Sequence, residues 1–147
     1  MRFPYVFLFT SQKGIFMNWD INSERPVYLQ LVELIQAGII SGYFKPGDKL
    51  PSVRDLASDA TVNPNTMQKA LTELERTGLI YTNRTSGRFI TSDEDLIKNL
   101  KKQSAKELVL DFLERMKQLG FEGSEILNYI TEIINNKEAS GGNRGWE

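Results

Sequence analysis

Apolar residues recur at helical spacing along much of this chain, and the interruptions fall where glycine, proline and small polar residues gather. Behind Pro26, the positions Val27, Leu31, Leu34 and Ile35 share one helix face, and Gly42 closes the run, which predicts a helix over about 26–41. "YFKPGDKLPS" reads as a turn, because Pro46-Gly47-Asp48 breaks regular structure and Pro51 blocks helix ahead of Ser52. Ser52, with Asp55 three residues on, has the form of a capping box and predicts a short helix to about residue 58, with Val53, Leu56 and Ala57 facing inward. Asn63 then caps a third helix with Pro64 at its first position. Met67, Ala70, Leu71 and Leu74 stand at i, i+3, i+4 and i+7 along it, and Gly78 ends it. "LIYTNRTSGRFIT" predicts two strands, 79–81 and 88–91, around a hairpin tip at 83–87.

Three helices followed by a β-hairpin, with a short helix joined by a tight turn to a longer one, is the order of a winged helix-turn-helix. The fold class expected is mainly α with a small β-hairpin, followed by a C-terminal helical hairpin. For that hairpin, Ser92 with Asp95 predicts the cap of a helix running to Gly120, striped by Ala105, Val109, Phe112, Leu113, Met116 and Leu119. Gly123-Ser124 starts a last helix carrying Ile126, Leu127, Ile130, Ile133 and Ile134. One helical hairpin has too many apolar positions here to bury alone. Two copies would bury them in a four-helix-like dimer, with Val109, Phe112, Leu113, Met116, Ile126, Ile130 and Ile133 as the expected contacts. The competing reading packs the same stripes back on the chain's own winged helix.

The expected organisation is an N-terminal extension over 1–16, the winged helix-turn-helix over 17–91, the helical segment over 92–137 and a loose tail over 138–147. The extension's apolar run, 5–9, is too short to span a bilayer and has no signal-peptide core. Two readings of it stand side by side: an arm that packs on the domain, or translated sequence upstream of a start at Met17.

Composition narrows the chemistry more than charge does. The chain has 147 residues, with no cysteine and no histidine. This excludes disulfides, thiolate or imidazole zinc sites and Cys- or His-based catalysis. No EF-hand or P-loop spacing is present, and no metal or cofactor is expected. Residues 17–91 carry eight Lys/Arg and eight Asp/Glu, whereas residues 92–147 carry eight against eleven. Within 62–91, Lys69, Arg76, Arg84 and Arg88 stand against Glu73 and Glu75, a mild basic bias. Charge therefore permits a polyanion partner without demanding one.

In a helix-turn-helix the second helix of the motif enters the major groove with its N-terminal residues over base edges. Opposite the apolar stripe, the third helix carries Asn65, Gln68, Lys69, Thr72 and Arg76, with no acid before Glu73. Asn and Gln can pair with adenine through two hydrogen bonds, and Lys reaches guanine or phosphate. The bland alternative is a solvated, well-capped helix face. Arg54, with Ser52 at its helix N-terminus, suits a phosphate, against the alternative of a surface arginine paired with Asp55 or Asp59. At the hairpin tip, Arg84 and Arg88 offer cations to phosphate or minor groove, against an ordinary polar turn.

The stretch from Pro26 to Ile90 resembles the DNA-binding domain of GntR-family bacterial transcriptional regulators. "KPGDKLPSVRDLA", "VNPNTMQKAL", "GLI" and the wing ending "GRFI" carry the resemblance. "VNPNT" with Gln68-Lys69, followed by a short helical C-terminal segment, looks like the YtrA-type branch. Only 56 residues follow Thr91, too few for the effector domains of other branches. The resemblance implies DNA contacts at Arg54, at Asn63, Asn65, Thr66, Gln68 and Lys69, and at Gly87 of the wing. Two departures stand out: Pro64 replaces an arginine common in the family, and Thr85-Ser86-Gly87-Arg88 replaces its usual Gly-x-Gly wing. A cytoplasmic location fits the cysteine-free composition, and the resemblance further implies a homodimer on a palindromic operator, usually a repressor, often of neighbouring transporter genes. An effector is not specified by the residues. The alternatives are a winged-helix protein-interaction module that leaves DNA alone, and an enzyme, for which no catalytic spacing is recognisable.

Overall fold

The computed structural model describes residues 9–11 and 14–139, with side chains from Met17 onward. The elements are β1 (Phe9–Ser11), β2 (Gly14–Phe16), α1 (Val27–Ile40), α2 (Val53–Ala60), α3 (Pro64–Arg76), β3 (Ile80–Asn83), β4 (Gly87–Ile90), α4 (Glu94–Gln118) and α5 (Gly123–Ala139). They form two compact units, 1–103 and 104–147.

In the first unit, α1, α2 and α3 enclose one core. Leu31, Leu34 and Ile35 of α1 meet Leu56 and Ala57 of α2 and Met67, Ala70, Leu71 and Leu74 of α3, all buried. Burial of an aliphatic side chain contributes roughly 1.5–3 kcal/mol, so this shared stripe is the main term holding the helices together. Leu79, Ile80 and Ile90 close the core from the hairpin side, and Leu96, Ile97 and Leu100 of α4 pack against it. Met17 is also a core residue. Its Cε lies 3.7 Å from where a side chain on Gly38 would begin, and the Phe44 ring lies closer still at 2.9 Å, so only glycine fits there.

A buried amide anchors the segment before α1. Gln30 accepts from the Asn22 N–H at 2.9 Å and donates to the Asn22 and Arg25 carbonyls, each at 2.8 Å. Arg25 makes a two-pronged pair with Glu33; that hydrogen bond and the carboxylate charge raise the Arg25 pKa above its ordinary value. The Trp19 indole N–H donates to Asp59 at 2.6 Å.

The helix caps follow the sequence signals. Ser52 Oγ accepts from Asp55 N–H, and Asn63 Oδ1 accepts from Asn65 N–H. The second helix, however, runs on to Ala60, because Thr61 itself ends it in the left-handed conformation, φ +55°. A β-branched residue seldom adopts that conformation, which hides this stop from the sequence. The wing strands are also displaced from the expected 79–81 and 88–91. The Leu79 N–H returns to the Leu74 carbonyl at the helix end, so the ladder starts at Ile80. Its register pairs Ile80 with Ile90, Tyr81 with Phe89, Thr82 with Arg88 and Asn83 with Gly87. The connector before α2 adds a third, short edge: Leu50 N–H donates to the Arg88 carbonyl and Ile90 N–H to the Asp48 carbonyl.

Asp93, rather than Ser92, caps α4, its carboxylate accepting from Leu96 N–H at 3.0 Å. The physical reason is that Thr91 remains tied to the hairpin through its N–H to Leu79, while its hydroxyl accepts from Asp93 N–H. The helix therefore starts one residue later. In the second unit Gly120 takes φ +89° between α4 and α5, and Phe121 meets Tyr129 edge to face at 5.3 Å. α5 extends to Ala139, so residues 138 and 139 are helical and not tail; the remainder of that expected tail, 140–147, lies outside the described residues. Of the extension over 1–16, β1 and β2 pair antiparallel, Phe9 opposite Phe16, and residues 1–8 and 12–13 lie outside the description.

Candidate nucleic-acid interface

The turn between α2 and α3 is short, and its backbone is fixed at both ends by the Val62 N–H to the Ala57 carbonyl and by the Asn63 cap. The fixed turn sets the face of α3 opposite the core. Asn65, Gln68, Lys69 and Thr72 are exposed there, and Thr66 is half-buried. Asn63 is exposed as well, its carbonyl oxygen occupied by the cap. The first turn of α3 carries no acid, so the positive end of its helix dipole has no carboxylate beside it to repel phosphates.

Several candidate side chains have partners within the chain. The Lys69 ammonium sits 3.7 Å from the centroid of the Tyr28 ring on α1. Such a contact at an exposed site contributes about 0.5–1 kcal/mol, small enough for a phosphate to displace it. Gln68 donates to the Thr72 hydroxyl at 3.4 Å, and that hydroxyl donates back to the Gln68 carbonyl at 2.9 Å.

At the wing, Arg84, Thr85, Ser86 and Gly87 are exposed, and Asn83 Oδ1 holds the turn through the Thr85 N–H and hydroxyl. Gly87 has φ +106°, which favours glycine at this turn, and it lies beside the flexible end of the Lys49 side chain. Ser52 and Arg54 face the wing across an open cleft of about 840 Å³, which Lys49, Gly87 and Arg88 also line. Arg54 forms neither of the pairs considered for it with Asp55 or Asp59 among the described ion pairs.

Arg88 lies differently from the rest. It is turned inward, its Nε–H donating to Glu75 Oε1 at 3.2 Å and an Nη2–H to Gln68 Oε1 at 3.3 Å. Thr82 donates its hydroxyl to the same Glu75 oxygen. Glu75, Thr82 and Tyr28 were not among the residues singled out from the sequence. Glu75 carries a signal in hindsight, since it lies seven residues after Gln68 on the same helix face; Thr82 depends on hairpin register, and Tyr28 on the α1–α3 packing.

In the second unit, Val109, Phe112, Ile130 and Ile133 are exposed, Leu113 and Met116 half-buried, and Ile126 buried. Among the described residues, no cluster of acidic side chains could hold a metal ion and no helix is long and apolar enough to cross a membrane.

This arrangement matches known proteins over about three quarters of the chain. The profile of the bacterial regulatory proteins, gntR family, matches residues 27–90. The HTH-type regulator YhcF of Bacillus subtilis is 38% identical over 114 residues, covering 78% of this chain and 94% of that protein. The chain belongs to the GntR family. The HTH-type transcriptional repressor YtrA of Bacillus subtilis is 37% identical over 119 residues, covering 78% of this chain and 88% of its own. A GntR-family regulator from Listeria monocytogenes superposes with a TM-score of 0.71 at 38% identity, over 76% of this chain and 98% of that one. A regulator from Oenococcus oeni gives 0.66 at 34% identity, over 78% and 95%. This GntR protein is a DNA-binding transcriptional regulator with a winged-helix fold.

Proposed function

We propose that this GntR-family chain is a cytoplasmic, homodimeric repressor of the YtrA type that binds a palindromic operator. The observation carrying this reading is the exposed, acid-free start of α3 beside an exposed wing. Asn65 and Gln68 read base edges; Asn63, Thr66, Thr72 and Lys69 complete the contact along the groove. Ser52 and Arg54 at the start of α2, with Arg84 and Gly87 at the wing, hold the flanking phosphates. Two half-sites one helical turn apart require two such units, and the uncovered apolar faces of α4 and α5 supply the contact between copies. The likeness to the YtrA repressor over most of both chains supports the branch and the sign of regulation. Neighbouring transporter genes are the first targets to test. The protein acts by occupying DNA, with no catalytic step.

A salt titration of duplex binding tests this. Each neutralised phosphate contributes about −0.9 to the slope of log affinity against log salt for duplex DNA, so several contacts give a steep fall. Binding that stays flat with salt would instead favour a protein-interaction module on the same fold.

A further inference from the structure

We propose that Glu75 is a positioning residue for sequence reading, acting through Arg88 to fix the base-facing amide of Gln68. The inference rests on the DNA-reading role assigned to α3.

Gln68, Thr72 and Glu75 fall at i, i+4 and i+7, one face of α3. That face carries a carboxylate near the site of a polyanion, which charge repulsion alone would disfavour. The structure shows what the carboxylate does there. One oxygen of Glu75 accepts from Thr82 on β3 and from Arg88 on β4, and these two are cross-strand partners. Both wing strands are thereby tied to α3 at one point. Arg88 then passes the constraint on, an Nη2–H donating to Gln68 Oε1. With its oxygen held by Arg88 and its NH2 directed to Thr72, the Gln68 amide has one assigned orientation. That matters because reading adenine needs a donor and an acceptor in a set order. The Arg88 and Glu75 side chains are only 22% and 29% exposed, so the pair is shielded more than an open surface bridge would be. Arg88 is in this arrangement a guide for Gln68 and neutralises Glu75, and its charge is withheld from phosphate.

Glu75→Gln in the full-length chain separates these effects. A randomised duplex pool selects the preferred site of the wild-type protein, and affinities are compared for that site, for single-base variants of it and for poly(dI–dC). The expected result is a loss of about tenfold in discrimination at one base pair per half-site, with poly(dI–dC) binding retained. Freed Arg88 should also steepen the salt slope by about one per subunit. In a Gln68→Ala background the same substitution should leave discrimination unchanged, because the amide it positions is gone. An unaltered base preference, or equal losses on the selected site and poly(dI–dC), would overturn the proposal while leaving the regulator reading intact. Should Glu75→Gln fold poorly, Arg88→Lys, which keeps the charge but cannot bridge both partners, must give the same loss at the same base pair, and an unchanged preference there would overturn the proposal equally. Failure of the wild-type chain to select any duplex would defeat the DNA-reading role itself.

Discussion

The two units use the same sequence pattern to opposite ends. On α3, Met67, Ala70, Leu71 and Leu74 repeat at helical spacing and each is fully buried. On α4 and α5 apolar positions also recur, yet Val109, Leu110, Leu127 and Ile133 are 54%, 56%, 64% and 54% exposed. The difference teaches that periodicity specifies an apolar face and not what covers it. The first unit is satisfied by its own helices and wing. The second leaves large apolar side chains of α4 and α5 exposed, as at an interaction site, which is why a second copy is proposed as its partner.

The comparison can be broken most sharply at Leu71. Leu71→Ala should cost about 2–5 kcal/mol in urea unfolding, by the same amount at every protein concentration, because its partners lie within one chain. Phe112→Asp or Ile133→Asp should act only through concentration. Each places a carboxylate in an apolar contact and should weaken dimerisation about a hundredfold or more by sedimentation, with the winged unit still folded. If either substitution unfolds the winged unit, the two regions are not independent in the manner described.

A smaller effect is expected at Gln30, where the winged unit is held by polar rather than apolar burial. Gln30→Leu leaves the Asn22 N–H and the Asn22 and Arg25 carbonyls without their partner and should cost about 1–3 kcal/mol, read in the same unfolding experiment. The smallest is at Thr61, where Thr61→Gly removes a side chain from a left-handed backbone and should stabilise the unit by about 0.5–1 kcal/mol. No gain there would mean the α2–α3 turn carries no strain.

Most of the winged unit was legible in the residues. Ser52, Asn63, Pro64 and Gly78 announced where helices begin and end, and the α3 stripe announced its buried face. What stayed hidden depends on pairing between distant segments. Asp93 displaced Ser92 as a cap because Thr91 is held by the hairpin, and the edge formed by Asp48 and Leu50 exists only once β4 is in place. The candidate site shows the same limit. Asn65, Gln68 and Lys69 could be read from helical phase, but the inward turn of Arg88 needed Glu75 and Thr82 brought together by hairpin register. Arg88 looked like a cation of the wing tip because it adjoins the hairpin turn in sequence, while its partners lie thirteen and twenty residues away.

Amide chemical-shift mapping of the full-length protein during titration with its selected duplex addresses the role of α3 directly. The largest changes should fall on residues 63–72, with a second group at 84–87 and at Ser52 and Arg54. Changes confined to residues 104–139, with the start of α3 unmoved, would contradict DNA reading by this helix.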